Sequence, residues 1–305
     1  MRKVIYGLGL KFEEYLLSDE YKSEEVVAFI DKSKIRQGEV INGIQVLPPE
    51  SIMDIEYDII LVTSDKYYQE IREDLINLGC NSSQITLLKL EKNKYSGELA
   101  YWKRVFREEN GNFDNNNYKE LFLNIACENN DVFLEDKVIA DFGCGPRGSL
   151  AWTNVPKTKI GIDVLANKYM YYFGECMSNH GMIYLNSDEY RIPLPNNYVD
   201  VLSTINSLDH VAVLDNMVNE ICRVLKPGGL LLGSFNLNEP ITQCEPQILT
   251  EQILNEKILC YFNILDKKIA LKGKDDPYSE LNNGKYVDKL GEDMPGEMWV
   301  KAVLK

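Results

Sequence analysis

A chain of 305 residues is long enough for two domains with separate cores, and 45% hydrophobic with 26% charged residues is the balance of an ordinary globular protein, not a disordered one. A formal net charge of −14 argues against a duplex nucleic-acid partner, because phosphate contacts need clustered Lys and Arg. The seven cysteines lack paired metal-ligand spacing, and the chain shows neither a secretory leader nor an apolar run of membrane-spanning length; a cytoplasmic protein with no membrane partner and no metal site is expected.

Residues 1–90 alternate strands and helices. Lys3 to Tyr6 reads as a strand, Gly7 and Gly9 as a turn, and the following residues as a helix start. Glu25–Asp31 is a strand ending in an acid, Asn42–Pro48 a short extended segment, Tyr57–Thr63 a fully buried strand, and Tyr67–Leu78 carries helical periodicity. This alternation predicts a small parallel sheet covered on both faces. Phe12 stands where the dinucleotide fingerprint has its third glycine, a place where close helix packing wants a small residue, and this counts against a dinucleotide ligand. The segments Phe29–Asp31, Gly43–Val46 and Pro48–Ile52 resemble the Rossmann-like N-terminal domains of bacterial polysaccharide-biosynthesis proteins. That resemblance implies a nucleotide-sugar-binding or accessory domain; a purely structural one stays open.

Residues 91–97 are polar and aperiodic and read as a linker to a second domain, 98–305. Glu98–Glu108 and Tyr118–Cys127 are predicted amphipathic helices separated by an Asn-rich loop. Trp102 and Tyr118 on them are candidate pocket residues, with plain helix packing as the alternative. A hydrophobic strand from Val138 then runs into Asp141 and three closely spaced glycines, Gly143, Gly145 and Gly148. Such a turn lets backbone approach a nucleoside closely. Cys144 within it reads as a small residue filling a tight turn. Asp163 ends the next apolar run, where a doubly wound sheet presents a carboxylate to a ribose diol. His180 is expected in a surface turn. His210 follows the predicted fourth strand, at the sheet edge where open α/β folds place ligands, with Asp209 beside it. Leu230–Phe235 reads as a fifth strand, and Asn236, Asn238 and Glu239 after it as pocket candidates. Phe262–Ala270 and Met298–Leu304 read as the last two strands, and the polar segment Gly273–Gly296 between them as mobile.

The run from Asp141 to Gly148 resembles motif I of class I S-adenosylmethionine-dependent methyltransferases, D-x-G-C-G-x-x-G. Ser187–Leu202, Leu208–Val211 and Glu220–Gly229 are similar to three later segments of that family, in the same order. The resemblance implies an α/β fold of two Rossmann-like domains, the second a class I methyltransferase sheet ending in an antiparallel hairpin. It implies S-adenosylmethionine as cofactor, held by Gly143, Gly145 and Gly148, with Asp163 accepting the ribose hydroxyls, Asp188 the adenine amino proton and Asp141 orienting the methionine end. If the acceptor is a hydroxyl, His210 is the general-base candidate, and Asp209 orients its ring or touches substrate. The expected reaction is methylation of a small molecule, with a sugar or nucleotide-linked sugar of surface-glycan assembly as the leading acceptor. A noncatalytic cofactor-binding scaffold and a nucleotide-sugar oxidoreductase or epimerase working through the N-terminal domain are the alternatives; a homodimer is an open option.

Overall fold

The computed structural model describes residues 1–16, 18, 20–90, 94–242, 244–291 and 294–305. The chain forms two compact units, Met1–Lys92 and Asn93–Lys305.

In the first unit the elements run β1 (Lys3–Tyr6), α1 (Leu10–Leu16), β2 (Val26–Ile30), β3 (Val40–Ile41), β4 (Ile44–Leu47), β5 (Ile59–Val62), α2 (Tyr68–Asn77) and β6 (Ile85–Leu87). The sheet order is β3-β4-β2-β1-β5-β6, parallel except for the β3–β4 pair. The expected extended segment Asn42–Pro48 is β4 over Ile44–Leu47, while its first two residues, Asn42 and Gly43, form the turn of that hairpin at positive φ (50° and 81°). β5 alternates instead of being buried throughout: Ile60 and Val62 are inside while Ile59 and Leu61 are partly exposed. β6 is three residues long, too short to carry a readable period.

At the end of β1, Gly7 adopts a φ of +89°, and the next amide, Leu8 N, donates to Asp31 Oδ2 at 2.7 Å. Phe12 is 1% exposed and meets Phe29 edge-on with ring centroids 5.1 Å apart. The position that a dinucleotide turn keeps small is thus filled by a core aromatic.

In the second unit the order is α3 (Lys94–Glu108), α4 (Tyr118–Ala126), β7 (Val138–Phe142), β8 (Thr158–Asp163), α5 (Ala166–Ser178), β9 (Ile183–Asn186), β10 (Val199–Ile205), α6 (Leu214–Val224), β11 (Leu225–Leu237), α7 (Glu251–Lys257), β12 (Phe262–Leu271), α8 (Ser279–Asn282) and β13 (Gly296–Leu304). The seven strands lie in the order β12-β13-β11-β10-β7-β8-β9, with β13 antiparallel to both of its neighbours. The chain order reverses between β7 and β10, and ligands of open α/β sheets bind outside the carboxyl ends of strands at such a point. β7 can sit there because Ile139 and Ala140 are both fully buried, as a central parallel strand covered on two faces requires.

Three expectations need correction. α3 begins at Lys94, so Lys94–Gly97 are helix and not linker, while residues 91–93 lie outside the described residues. Its first turn is anchored by long-range contacts, Lys94 and Tyr95 both to Glu189, which a polar sequence pattern does not reveal. β11 extends from Leu225 and bulges, so that Val199 pairs with Leu225 but Val201 with Leu230. Finally, the segment expected to be mobile is anchored at two points among its described residues, where Leu281 is 1% exposed and Tyr278 lies against Trp299 with ring centroids 5.9 Å apart, while most of its other described residues are exposed. Its few apolar residues were too sparse to show a period.

Replacing a buried Phe by Ala typically costs about 3–5 kcal/mol. Phe12→Ala is therefore expected to lower the chemical-denaturation midpoint of the first unit, and an unchanged unfolding curve would contradict the packing role given to this ring.

Candidate functional site

At the carboxyl ends of β7, β8, β10 and β11 lies a cavity of about 890 Å³. The glycine loop after β7 forms one wall, and side chains of α3 and α4, including Trp102 and Tyr118, form another. Both aromatics thus face the cavity, as one of the two expectations for them had it.

Backbone replaces side chain in this loop for steric reasons. Gly143 has φ +71°, and a Cβ there would lie 2.2 Å from Ser207 Cβ; Gly148 has φ +81°, and its Cβ would lie 2.5 Å from the His180 ring. His180 is accordingly not in a surface turn. It is 6% exposed, with Nδ1 2.6 Å from Tyr184 Oη, and the polar residues around it mislead because the ring packs beneath the loop. Cys144 is buried, and burial pushes its thiol well above the usual range, which suits a small space-filling residue and not a nucleophile.

The three expected donor-site acids all line the cavity but differ in environment. Asp163 Oδ2 accepts from Gly145 N at 3.0 Å and Oδ1 from Leu165 N at 2.8 Å. Burial pushes its carboxyl up to about 6 against the lowering effect of those two amides. Asp141 is 2% exposed and is also pushed up to about 6 by burial, with hydroxyls opposing the shift. Its described partners are the hydroxyls of Ser203, at 2.6 Å, and Ser149, so it steadies the loop through serines and not through the loop amides. Asp188 is exposed, and its Oδ1 accepts from Tyr190 N (2.7 Å) and Arg191 N (2.6 Å).

On the opposite side of the cavity the chain leaves β10 through a 3-10 turn, Leu208–His210. His210 Nε2 stands 3.9 Å from Asp209 Oδ1 and 3.8 Å from Glu245 Oε1, while Nδ1 stands 3.8 Å from Glu98 Oε2. None of these separations is a hydrogen bond, so Asp209 does not orient the ring by that route. Asp209 is 4% exposed; its Oδ2 accepts from Asn236 Nδ2 at 3.0 Å, and its Oδ1 is buried with no hydrogen-bond partner. Of the three residues expected to follow the fifth strand, Asn236 lies within β11 and lines the cavity. Asn238 donates instead to the carbonyls of Gly291 and Met294, and Glu239 pairs with Lys272, because the chain turns away from the sheet edge there.

Several site residues have no signal in the sequence. Glu245 sits in an irregular proline-flanked stretch, and Tyr278 in the segment read as a loose connection. Asn206, at a positive φ of 46°, donates to Tyr278 Oη (3.1 Å), Asn236 Oδ1 (3.1 Å) and Glu297 Oε2 (3.4 Å). Glu297 is fully buried, and burial pushes its carboxyl up to about 8. A mid-strand glutamate reads as solvent-facing unless its neighbours are known.

Among known proteins, residues 140–233 match the model of a methyltransferase domain, and residues 1–86 match that of the C2185-like N-terminal family. The second description does not bear on the expected kinship with polysaccharide-biosynthesis proteins. The chain is 42% identical over 60 residues to the ubiquinone/menaquinone biosynthesis C-methyltransferase UbiE of Neisseria meningitidis serogroup C, covering 19% of this chain and 24% of that protein. It is 27% identical over 118 residues to the sterol 24-C-methyltransferase of Pneumocystis carinii, covering 35% and 31% respectively. The chain thus spans about a quarter to a third of the length of these relatives. A solved SAM-dependent methyltransferase from Aquifex aeolicus is similar at a TM-score of 0.41 and 19% identity, over 63% of this chain and 100% of that one.

Two measurements test the site. Gly143→Ala places a methyl inside Ser207 and forces an L side chain to positive φ, so it is expected to destabilise the second unit and abolish ligand binding by the loop; retention of both would refute the steric account. The second concerns pH. Because the Asp163 carboxyl of the free protein lies near 6, above its ordinary 3.8, its ionisation works against folding, and this penalty develops as pH rises through that interval. The melting temperature of the wild type should therefore fall relative to that of Asp163→Asn as pH rises from about 4 to 7, and a difference that stays constant over that range would contradict the shift.

Proposed function

We propose that the second unit is an S-adenosylmethionine-dependent methyltransferase of the cytoplasm that methylates a hydroxyl of a small polar acceptor, with a sugar or nucleotide-linked sugar as the acceptor class. The observation that carries this reading is the Asp163 carboxylate, fixed by two amides beside a glycine loop with no room for side chains, at the switch point of a sheet whose residues 140–233 match a methyltransferase domain. A nucleoside diol offers two hydroxyl donors to such a carboxylate. Among the described residues no helix is long and apolar enough to cross a membrane, and all seven cysteines are unpaired, which suits a reducing compartment.

Methyl transfer from a sulfonium needs little covalent help, since neutralising the sulfur drives the displacement. Position matters more: donor carbon and acceptor oxygen must be held in line at roughly 3–3.5 Å. In this reading Gly143, Gly145, Gly148 and Asp163 hold the donor, Asp188 receives the adenine amino group, and Asp141 braces the loop beneath the methionine end. Once a donor hydroxyl replaces water at Asp163, the ionised carboxylate becomes the favoured form.

The remaining cavity wall supports a polar acceptor. Asn206, His210, Asn236, Glu245 and Tyr278 all line it. Asn206 Oδ1 and Asp209 Oδ1 are buried there without hydrogen-bond partners, at roughly 1–3 kcal/mol each, so this wall fits hydroxyl donors better than a hydrocarbon. The two curated relatives are C-methyltransferases by name. For an oxygen acceptor, activation of the hydroxyl falls to the group formed by Asp209, His210 and Glu245. The first unit serves in this proposal as an accessory domain: the charged side chains around its own glycine turn are satisfied internally, Lys11 by Asp65 and Lys32 by Glu70 and Asp74.

Incubation with methyl-labelled S-adenosylmethionine and a panel of nucleotide sugars tests the proposal. Label transfer is expected; donor binding without transfer to any of them would favour a noncatalytic scaffold, and NAD(P)-dependent change of the sugar would favour chemistry in the first unit. Removing a charged acceptor of two hydroxyls is worth about 2–4 kcal/mol, so Asp163→Ala should weaken donor binding by about 30- to 1000-fold in calorimetry. Unchanged affinity would sink the donor assignment.

A further inference from the structure

We propose that Asp209 Oδ1, His210 Nε2 and Glu245 Oε1 form a binding site for a first-row divalent cation on the acceptor side of the cavity. The three ligand atoms come from two distant stretches of chain, one after β10 and one after β11, and all lie within 4.8 Å of one another. The separations from Nε2, 3.9 Å to Asp209 and 3.8 Å to Glu245, are too long for hydrogen bonds. They fit two ligands bridged by one ion, because metal–nitrogen and metal–oxygen bonds of about 2.0–2.2 Å span up to about 4.3 Å between partners.

The second observation is the state of Asp209. Its side chain is 94% buried, and Oδ1 has no hydrogen-bond partner, a costly arrangement for a carboxylate oxygen. No lysine or arginine pairs with Asp209 or Glu245 among the described ion pairs. The other oxygen is fixed: Oδ2 accepts from Asn236 Nδ2, and Asn236 Oδ1 accepts from Asn206 Nδ2 and Lys272 Nζ, both at 3.1 Å. Ligating carboxylates are commonly held in this way by outer hydrogen bonds. Glu98, facing Nδ1 of the same ring, stands where a partner would keep the proton on Nδ1 and leave Nε2 free to ligate.

One imidazole with two carboxylates suits Mn²⁺ or Zn²⁺ better than the all-oxygen preferences of Mg²⁺ and Ca²⁺. This departs from the expectation of no metal, which considered cysteine spacing alone, and it makes His210 a ligand in place of a general base. Three protein ligands leave positions open toward the cavity, which His210 and Glu245 line. Resting on the methyltransferase reading, the function of the ion is to bind the acceptor hydroxyl and acidify it. The hydroxyl proton leaves to solvent, the oxygen's electron pair forms the new O–CH₃ bond, and the C–S pair returns to sulfur as a neutral thioether.

The test uses the full chain, stripped with chelator and titrated with Mn²⁺ and then Zn²⁺ by calorimetry in the absence of donor. A single equivalent of binding is expected, weakened about 10- to 100-fold or more by Asp209→Asn and by Glu245→Gln. Should Asp209→Asn fail to fold, Glu245→Gln, on a partly exposed side chain, carries the test alone. Absence of binding to the wild type, or binding undiminished in a folded Glu245→Gln protein, would overturn the site. Donor affinity measured on the same stripped wild type separates the two readings, since its loss counts against the methyltransferase and its retention without cation binding counts against the ion alone.

Discussion

One carboxylate organises the second unit. Asp163 ends β8 and accepts amides from Gly145, in the loop after β7, and from Leu165, at the start of its own following turn. Two successive strand exits, those of β7 and β8, are thereby tied together beside the point between β7 and β10 where the chain order reverses. The loop can be drawn this close only because Gly143 lacks a side chain: Ser207, which occupies the space a Gly143 side chain would need, uses its hydroxyl to hold Phe142 O at 2.8 Å and so joins β10 to the same knot. The first unit repeats the device, with Asp31 taking Leu8 N and Ser33 N at 2.7 Å each. What differs is the helix that follows. Phe12 fills the approach in the first unit, whereas in the second Gly148 lets the loop settle on His180.

The clamp is stable but not relaxed. Asp141 and Asp163 are both pushed up to about 6, so near neutral pH the free protein holds two carboxylates whose ionisation burial opposes. Nearby hydroxyls and amides offset part of that opposition and leave room for more donors. A ligand bringing hydroxyl groups to Asp163 lowers the energy of a charge the fold already maintains, which is how a site gains affinity from strain set up during folding.

How much of this was legible depended on range. The glycine loop, Asp163 at a strand end and the closing pair of strands were legible because each is local, a handful of residues whose types follow from one turn or one period. Glu245, Glu297 and Tyr278 were not, because their roles depend on which distant strand or turn lies opposite. The adjacency of Asp209 and His210 in sequence suggested a hydrogen-bonded pair; a 3-10 turn instead sets the facing atoms 3.9 Å apart. His180 misled for the converse reason, since its polar neighbours describe the chain around it and not the loop above it.

The cavity wall proposed for the acceptor owes its character to the antiparallel end of the sheet. β13 pairs with β11 so that Glu297 lies directly across from Asn236, and both join the hydrogen bonds of Asn206 at the end of β10. Burial pushes the Glu297 carboxyl up to about 8, against the opposing pull of the Lys272 ammonium 3.8 Å away and of the Asn206 amide. Asn206 tolerates a left-handed backbone while its amide group reaches three partners, a conformation asparagine adopts more readily than most residues. A parallel sheet alone would end at β11 and leave this edge open to solvent. Folding back through β12 and β13 closes it with a polar floor, and Tyr278 from the intervening segment supplies one wall. In the proposed methyltransferase, donor recognition belongs to the half of the sheet around β7 and β8, and acceptor recognition to the half that the antiparallel strands complete.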